Sequence, residues 1–248
     1  MMGGFRLAVA VSLLCGLSAC TDDQGTRSLV LLQNVRAQSN DGACVGIDGS
    51  DPSSALAHGV LDLVSADALY LMIPVIQNLV VSEDMSPTGL AQRTAFIEGY
   101  EINADLGDLV DSATAEQLDN DGVTSFTGAT TFFIPPNDIS SISVAGTSQA
   151  MVDELRNRVP AGEEALIFLN IEFFGTLGGS SVRSTQLRFP VQVCTNCLVQ
   201  VIGSCSALPD GFEASPGHAC GLVQDVPVQC CEDSAGGTVC PAEVEVVE

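Results

Sequence analysis

The sequence contains no lysine and no tryptophan, and only two of its 248 residues are tyrosine and two are histidine. Its eight basic residues, all arginine, stand against 31 acidic residues, which leaves a net charge of −23 at pH 7. A charge of this sign repels nucleic-acid phosphates and anionic lipid surfaces. We therefore exclude a nucleic-acid partner. The shortage of aromatic rings also argues against a lectin or a glycosidase, which use such rings to stack sugars.

Common catalytic motifs are missing as well. The chain has neither a Gly-x-Ser-x-Gly elbow nor a phosphate-binding glycine loop with a lysine. A Ser-His-Asp site would need His58 or His218, and we expect both to be ordinary surface or turn residues. A hydrolase stays as the last of three functional hypotheses, because it requires one histidine beside a nucleophile in a concave pocket.

The first twenty residues have the layout of an export signal. Arg6 supplies a positive charge, residues 7–14 are a short apolar run, and small residues precede Cys20. A run of this length cannot cross a bilayer, which needs about 20 apolar residues. We therefore predict a signal peptide over residues 1–19.

The segment Leu17-Ser18-Ala19-Cys20 resembles the lipobox of bacterial lipoproteins. The resemblance covers residues 1–20 only, and it implies that Cys20 becomes the first mature residue and carries a covalent lipid. Two or more acyl chains anchor a protein stably to a membrane. Thr21 stands where an aspartate would favour retention at the inner membrane, so the outer membrane is the expected location. An ordinary secretory signal is the alternative.

Composition divides the remaining chain into four segments. We expect a tether over residues 20–43, a β-domain over 44–193, a disulfide-stapled C-terminal module over 194–241 and an acidic tail over 242–248. An apolar patch at residues 29–32 interrupts the tether and is compatible with an edge strand.

Alternation of apolar and polar residues predicts strands across the central segment. Residues 94–106 show it best, with Phe96, Tyr100 and Ile102 on one face and Glu98 as the exception. Residues 69–81 also favour a strand, interrupted at Pro74. A helix over residues 66–80 is the alternative for that segment.

One helix and one hairpin complete the predicted architecture. Capping by Thr147 or Ser148 and a stop at Pro160 bound the helix, and a glycine-rich turn at residues 175–180 joins two long strands. Together these elements predict an antiparallel β-sandwich, immunoglobulin-like or jelly-roll-like, with one short helix and a Cys-rich C-terminal extension. An α+β fold is the alternative.

Eight cysteines beyond Cys20 suggest four disulfides, because an exported chain meets an oxidising environment. Seven of them lie between residues 194 and 240, an odd number, so Cys44 is expected to pair into that cluster. The adjacent Cys230 and Cys231 are expected to take different partners. Sequence alone leaves the pairing open among these candidates: Cys44, Cys194, Cys197, Cys205, Cys220, Cys230, Cys231 and Cys240.

Metal and redox chemistry are alternatives for a few of these residues. Zinc could use Cys194, Cys197, His218 and Cys220, and Cys194-x-x-Cys197 has the spacing of a redox pair. Export argues against free thiolates, and we predict no metal centre or cofactor apart from the lipid. Clustered oxygen ligands still mark weak calcium candidates at Asp48, Asp51, Asp119 and Asp121.

These observations favour an exported, lipid-anchored protein of the bacterial envelope without enzymatic activity. It would attach to the membrane through its lipid and act as a structural or interaction module for an envelope protein partner. A calcium- or ligand-binding, adhesin-like module is the second hypothesis.

Overall fold

The computed structural model describes residues 28–40, 43–46, 52–65, 68–81, 93–209, 214–220 and 223–240. Within them the protein is mainly β, with sixteen strands and two α-helices. The strands are β1 (Leu29–Asn34), β2 (Ala37–Asn40), β3 (Ala43–Gly46), β4 (Gly59–Asp62), β5 (Leu71–Met72), β6 (Pro74–Asn78), β7 (Ala95–Asp105), β8 (Ser125–Ile134), β9 (Ile139–Ser141), β10 (Val144–Ala145), β11 (Glu164–Leu177), β12 (Ser180–Arg183), β13 (Leu187–Cys194), β14 (Val199–Ser204), β15 (Val228–Glu232) and β16 (Thr238–Val239). The helices are α1 (Ser112–Asn120) and α2 (Gln149–Arg158), and short 3₁₀ helices span Pro52–Ser54, Gly107–Leu109 and Cys205–Ala207.

A six-stranded sheet forms the centre of the protein. Its order is β4-β13-β11-β7-β8, and β12 also pairs with β11. All pairs are antiparallel except β13 and β4, which run parallel. Alternation along β11 places Ile167, Leu169, Ile171 and Phe173 on one face, each fully buried, because successive side chains of a strand point to opposite faces.

A smaller sheet of β1, β6 and β9 packs on the same core. Leu29 and Leu31 of β1 and Ile76 of β6 belong to the cluster that contains Ile171 and Phe173 of β11. Residues 29–40, which the sequence assigned to a tether, are therefore part of the folded body. The apolar patch at 29–32 is the reason, because its alternate leucines are buried.

Strand β7 departs from simple alternation, and the departure corrects one prediction. Phe96 was expected on the buried face, but it is 49% exposed, whereas Ile97 is 1% exposed. Register shifts occur here in both ladders of β7, between Ile97 and Gly99 against β8 and between Phe174 and Gly175 against β11. A β-bulge of this kind moves the following side chains to the other face. Glu98 was therefore no exception, since it shares the exposed face of Phe96.

The helix and the hairpin are confirmed. In α2, the Ser148 hydroxyl accepts a hydrogen bond from Met151 N, 3.1 Å away, and Leu155 is fully buried. The hairpin turns at Gly178 and Gly179, both with positive φ. Residues 71–78 form β5 and β6, so the alternative helix over 66–80 is wrong.

Helix α1 was not predicted from the sequence. Neither α-helix in the described part of the chain is long and apolar enough to cross a membrane.

The eight cysteines form four disulfides: Cys44–Cys220, Cys194–Cys197, Cys205–Cys231 and Cys230–Cys240. Cys44 does pair into the C-terminal cluster, and Cys230 and Cys231 take different partners, as parity and adjacency predicted. In this pairing the sulfurs that the zinc alternative required, those of Cys194, Cys197 and Cys220, are joined in disulfides.

The C-terminal segment is fastened to the edge of the central sheet. Strands β14, β15 and β16 form a sheet of their own. Upstream of β15, Val223 O accepts a hydrogen bond from Asp62 N (3.1 Å), and Asp225 N donates to Val60 O (2.9 Å). The segment around residues 223–225 thus covers the outer edge of β4.

Candidate functional site

A buried polar cluster lies where the C-terminal segment meets β4. Its members are Tyr70, Gln224, Asp225 and His218. Tyr70 is fully buried, Gln224 is 1% exposed and His218 is 6% exposed. Polar side chains at this depth need partners, because an unpaired one costs about 1–3 kcal/mol. The cluster therefore depends on internal hydrogen bonds.

The Asp225 carboxylate is the hub of the cluster. Its Oδ1 accepts a hydrogen bond from Val60 N at 2.8 Å, and its Oδ2 accepts one from Gln224 Nε2 at 3.1 Å. The Tyr70 hydroxyl lies 3.2 Å from both oxygens. Burial raises the pKa of Asp225 above its ordinary value, although the donors from Val60, Gln224 and Tyr70 act in the opposite direction. Asp225 thus holds the cluster together by accepting hydrogen bonds from three donors, on Val60, Tyr70 and Gln224.

Tyr70 responds to the same surroundings. Burial, followed by the nearby Asp225 carboxylate, raises the pKa of Tyr70 well above its ordinary value. The hydroxyl therefore keeps its proton and acts as a hydrogen-bond donor. Gln224 completes the arrangement, because its side chain also bonds Leu71, accepting from Leu71 N at 2.7 Å and donating to Leu71 O at 3.0 Å.

His218 is neutral and oriented. Burial lowers its pKa, and the charge of Asp225 offsets part of that effect. Its Nδ1 accepts a hydrogen bond from Cys220 N, 3.2 Å away, so the proton of the neutral ring lies on Nε2. His218 was expected to be a surface or turn residue. It does lie in a bend before a turn, but it is buried, because the neighbouring Cys220 is held against the body by the Cys44–Cys220 disulfide. His58, by contrast, is exposed.

A pocket of about 320 Å³ opens beside the cluster. His218 and Asp225 line its interior, and the exposed Arg36 stands at its rim. Apolar walls come from Ala37, Leu56, Ala219, Val226 and Pro227. The residues that line the pocket in the described part of the chain include no serine, threonine or free cysteine. A nucleophile beside His218, which the hydrolase hypothesis required, is thus missing from this lining.

A second buried carboxylate, Asp62, organises the Cys194–Cys197 loop. Asp62 is fully buried, and its oxygens accept hydrogen bonds from Asn196 N at 2.7 Å, Leu198 N at 2.8 Å and Val64 N at 3.0 Å. Its carboxylate lies within 4.8 Å of both sulfurs. Because the sulfurs are bonded to each other and the oxygens are occupied, this group is a loop anchor.

The calcium candidates do not converge within the described residues. Asp119 lies in the last turn of α1, where it accepts a hydrogen bond from the Ser125 hydroxyl. Asp121 caps the C-terminus of the same helix. Both are exposed, and no third acidic, histidine or cysteine ligand joins them in the described segments. Asp48, Asp51 and Cys20 lie outside the described residues.

The two edge strands of the central sheet, β4 and β8, differ in whether another segment packs along their outer edge. The C-terminal segment covers β4, whereas no strand in the described ranges pairs with the outer edge of β8. Strand β8 is ten residues long, Ser-Phe-Thr-Gly-Ala-Thr-Thr-Phe-Phe-Ile, and contains no charge and no proline. Natural proteins usually protect an exposed edge with charges, prolines or a covering segment. Phe133 of β8 is 61% exposed beside the equally outward-facing Phe96 of β7.

Sequence reasoning missed four residues of the buried cluster and its pocket: Arg36, Tyr70, Gln224 and Asp225. Tyr70 carried a signal, since one of only two tyrosines stands in an apolar run and a buried hydroxyl requires a partner. Arg36, Gln224 and Asp225 carried none, because they come together through contacts between residues more than 150 positions apart.

Comparison with known proteins found no match. No protein-family model matches the sequence, and no curated protein is significantly similar to it. The case for a function therefore depends on the residues and on the geometry described above.

Proposed function

We propose that this chain is an exported, lipid-anchored protein of the bacterial cell envelope that works without catalysis, as an interaction module. The lipobox-like residues ending at Cys20 support the anchor, and four disulfides support an oxidising compartment. For the fold we propose the β-sandwich expected from sequence. The shared core of the β1-β6-β9 sheet and the central sheet supports it.

The observation that carries the proposal is the outer edge of β8, which no strand among the described residues covers. In a chain of net charge −23, a strand of ten uncharged residues at a sheet edge is exceptional. The N–H and C=O groups along this edge, which no described strand pairs, offer the main-chain hydrogen bonds that β-strand addition uses. Thr127, Ala129, Thr131 and Phe133 alternate on its exposed face and provide the side-chain contacts.

The occupant we propose is an extended segment of a different envelope protein, one less acidic than this chain. A second copy is disfavoured, because two bodies of charge −23 repel each other. An uncharged edge inside an acidic molecule instead admits neutral or basic segments and repels acidic ones. This edge thus combines affinity through the backbone with selection by charge.

The test is site-specific photocrosslinking in living cells with the full, lipidated chain. A photoreactive residue at position 131 of β8 is expected to give one adduct with another envelope protein. The same residue at position 117, exposed on helix α1, is the control and is expected to give none. Equal adducts at both positions, or an adduct of two copies of this chain, contradict the proposal.

The second part of the crosslinking experiment places a charge on the edge of β8. Ala129→Lys introduces the kind of side chain that protects natural edges, so the adduct formed from position 131 is expected to disappear. Gln117→Lys makes the same change of charge on α1 and is expected to leave the adduct unchanged. Both variants should retain the wild-type melting temperature. In parallel, Cys20→Ala is expected to move the protein from the membrane fraction to the soluble fraction.

A further inference from the structure

The pocket beside His218 plays no part in edge pairing at β8, yet it contains an unused polar group. His218 is 6% exposed, and its Nδ1 is occupied by Cys220 N. No acceptor for Nε2 occurs among the described residues. Among the described residues Asn34 Nδ2 is the one buried side-chain atom without a partner, so His218 Nε2 keeps contact with solvent. Because His218 lines the pocket, this N–H is available as a donor to a ligand.

The rim of the same pocket carries an unpaired positive charge. Arg156, Arg158, Arg183 and Arg188 all form ion pairs, and Arg93 donates to the carbonyl of Val81. Within the described ranges, Arg36 is the arginine whose guanidinium has no such partner. In a chain with 31 acidic residues, a guanidinium left free beside a pocket is available to an anion from outside.

The carboxylate that lines the pocket is already engaged by three protein donors, which favours a ligand that brings acceptors of its own. Both oxygens of Asp225 accept hydrogen bonds from Val60, Tyr70 and Gln224. What the pocket still offers is two donors, the Arg36 guanidinium and His218 Nε2, and apolar walls that include Leu56 and Val226. A fitting ligand supplies acceptor oxygens with negative charge and a compact apolar group.

We propose that this pocket binds a small organic carboxylate, whose oxygens take hydrogen bonds from Arg36 and His218 Nε2 while its apolar body packs against Leu56 and Val226. A volume of about 320 Å³ lies at the small end of ligand sites and suits a small molecule. A single negative charge suits one arginine, whereas a phosphate dianion meets stronger repulsion from Asp225 and the acidic body. The carboxylate belongs either to a free acid or to the C-terminus of a peptide.

Titration with 3-methylbutanoate tests the site in the folded, disulfide-bonded protein. We expect saturable binding by calorimetry and a shift of the His218 Nε2 resonance in ¹⁵N NMR. The neutral 3-methylbutanamide has the same shape without the charge and is the ligand control. A peptide ending in a free valine, set against the same peptide amidated, distinguishes the two sources, because the source with tighter binding is the better fit.

Two arginine variants make the assignment specific. Arg36→Gln is expected to weaken 3-methylbutanoate binding about tenfold or more, as loss of a charge-assisted hydrogen bond does. Arg188→Gln makes the same change of net charge on the outer face of the central sheet, where Arg188 pairs with Asp105, and is expected to leave binding unchanged. His218→Phe keeps a buried ring and removes the donor, so it is expected to weaken binding as well.

The proposal fails if the amide binds as well as the acid, or if Arg36→Gln and Arg188→Gln have the same effect. It also fails if neither the acid nor the valine peptide gives a saturable signal up to about 10 mM, a concentration that detects even millimolar affinity. None of these results depends on β8, which lies at the opposite edge of the central sheet from the β4 edge that Asp225 covers.

Discussion

Asp225 shows how much of this protein depends on single residues. Its φ is +58°, a left-handed conformation that aspartate tolerates better than most residues. The turn lets one residue bind the same β4 residue twice, with its N–H on Val60 O and its carboxylate on Val60 N. A sequence cannot reveal such a pairing, because Val60 and Asp225 are 165 positions apart. What the sequence did predict near here was the covalent link, by parity, from Cys44 into the C-terminal cluster.

His218 is expected to make stability depend on pH in a specific direction. Its pKa is lowered in the folded state from the ordinary value of 6.5, so below that value the unfolded chain binds the proton more readily. The free energy of unfolding therefore decreases as the pH falls from about 7 through 6.5 toward the lowered pKa of His218, by up to about 1.4 kcal/mol per pH unit.

Chemical denaturation at pH 5, 6 and 7 is expected to show this loss in the wild type and a smaller one in His218→Gln. Equal slopes for the two proteins contradict the expectation. The matched control His58→Gln, at an exposed position, is expected to follow the wild type.

Strand β7 shows what can and cannot be predicted for an element. Its existence, its length and its half-buried character followed from alternation over residues 94–106. Alternation did not identify the buried face for the residues before the bulge. The position of a bulge depends on the strands that pair on both sides, and these are not visible in the local sequence. Gly175 of β11 approaches β7 so closely that a Cβ there would lie 2.0 Å from Phe96 O.

Helix α1 was not predicted, because its sequence lacks a clear signal. It buries none of its residues, so it lacks the apolar stripe that marks a helix in sequence.

The bulge predicts different stability costs for truncating two neighbouring side chains, Ile97 and Phe96. Ile97→Ala is expected to cost about 2–5 kcal/mol of unfolding free energy, because Ile97 is buried and its removal leaves a cavity. Phe96→Ala removes the larger side chain, yet it is expected to cost about 1 kcal/mol or less, because Phe96 is half exposed. Urea denaturation of both variants measures the difference. The reverse ranking would indicate the unbulged strand that alternation alone predicted.

For the whole molecule, the sequence predicted the β-rich class, the long hairpin and the Cys-rich extension, because all three follow from local pattern and composition. It assigned residues 29–40 to a tether, with an edge strand at 29–32 as the one exception left open, and it did not predict that the C-terminal segment covers β4. Both depend on partners far along the chain: β1 pairs with β6, and Gln224 forms a bridge with Leu61. The ends of the described chain are thus fastened onto a central sheet that the middle of the sequence builds.

The Cys44–Cys220 disulfide is expected to govern that fastening. It closes a loop of 176 positions, against 26 for Cys205–Cys231, so its entropic contribution of about 5 kcal/mol exceeds the other by about 1–2 kcal/mol. Cys44→Ser/Cys220→Ser should release residues 218–220 and 223–225 from β4 and β5. The amides of Val60, Asp62 and Leu71, which bond that segment, are then expected to lose hydrogen-exchange protection. Amides in β7 and β11 should stay protected.

The matched pair Cys205→Ser/Cys231→Ser is the control and should leave all of these amides protected. If the three amides stay protected without Cys44–Cys220, the polar cluster around Asp225 is sufficient to hold the segment, and the disulfide adds stability without positioning the pocket.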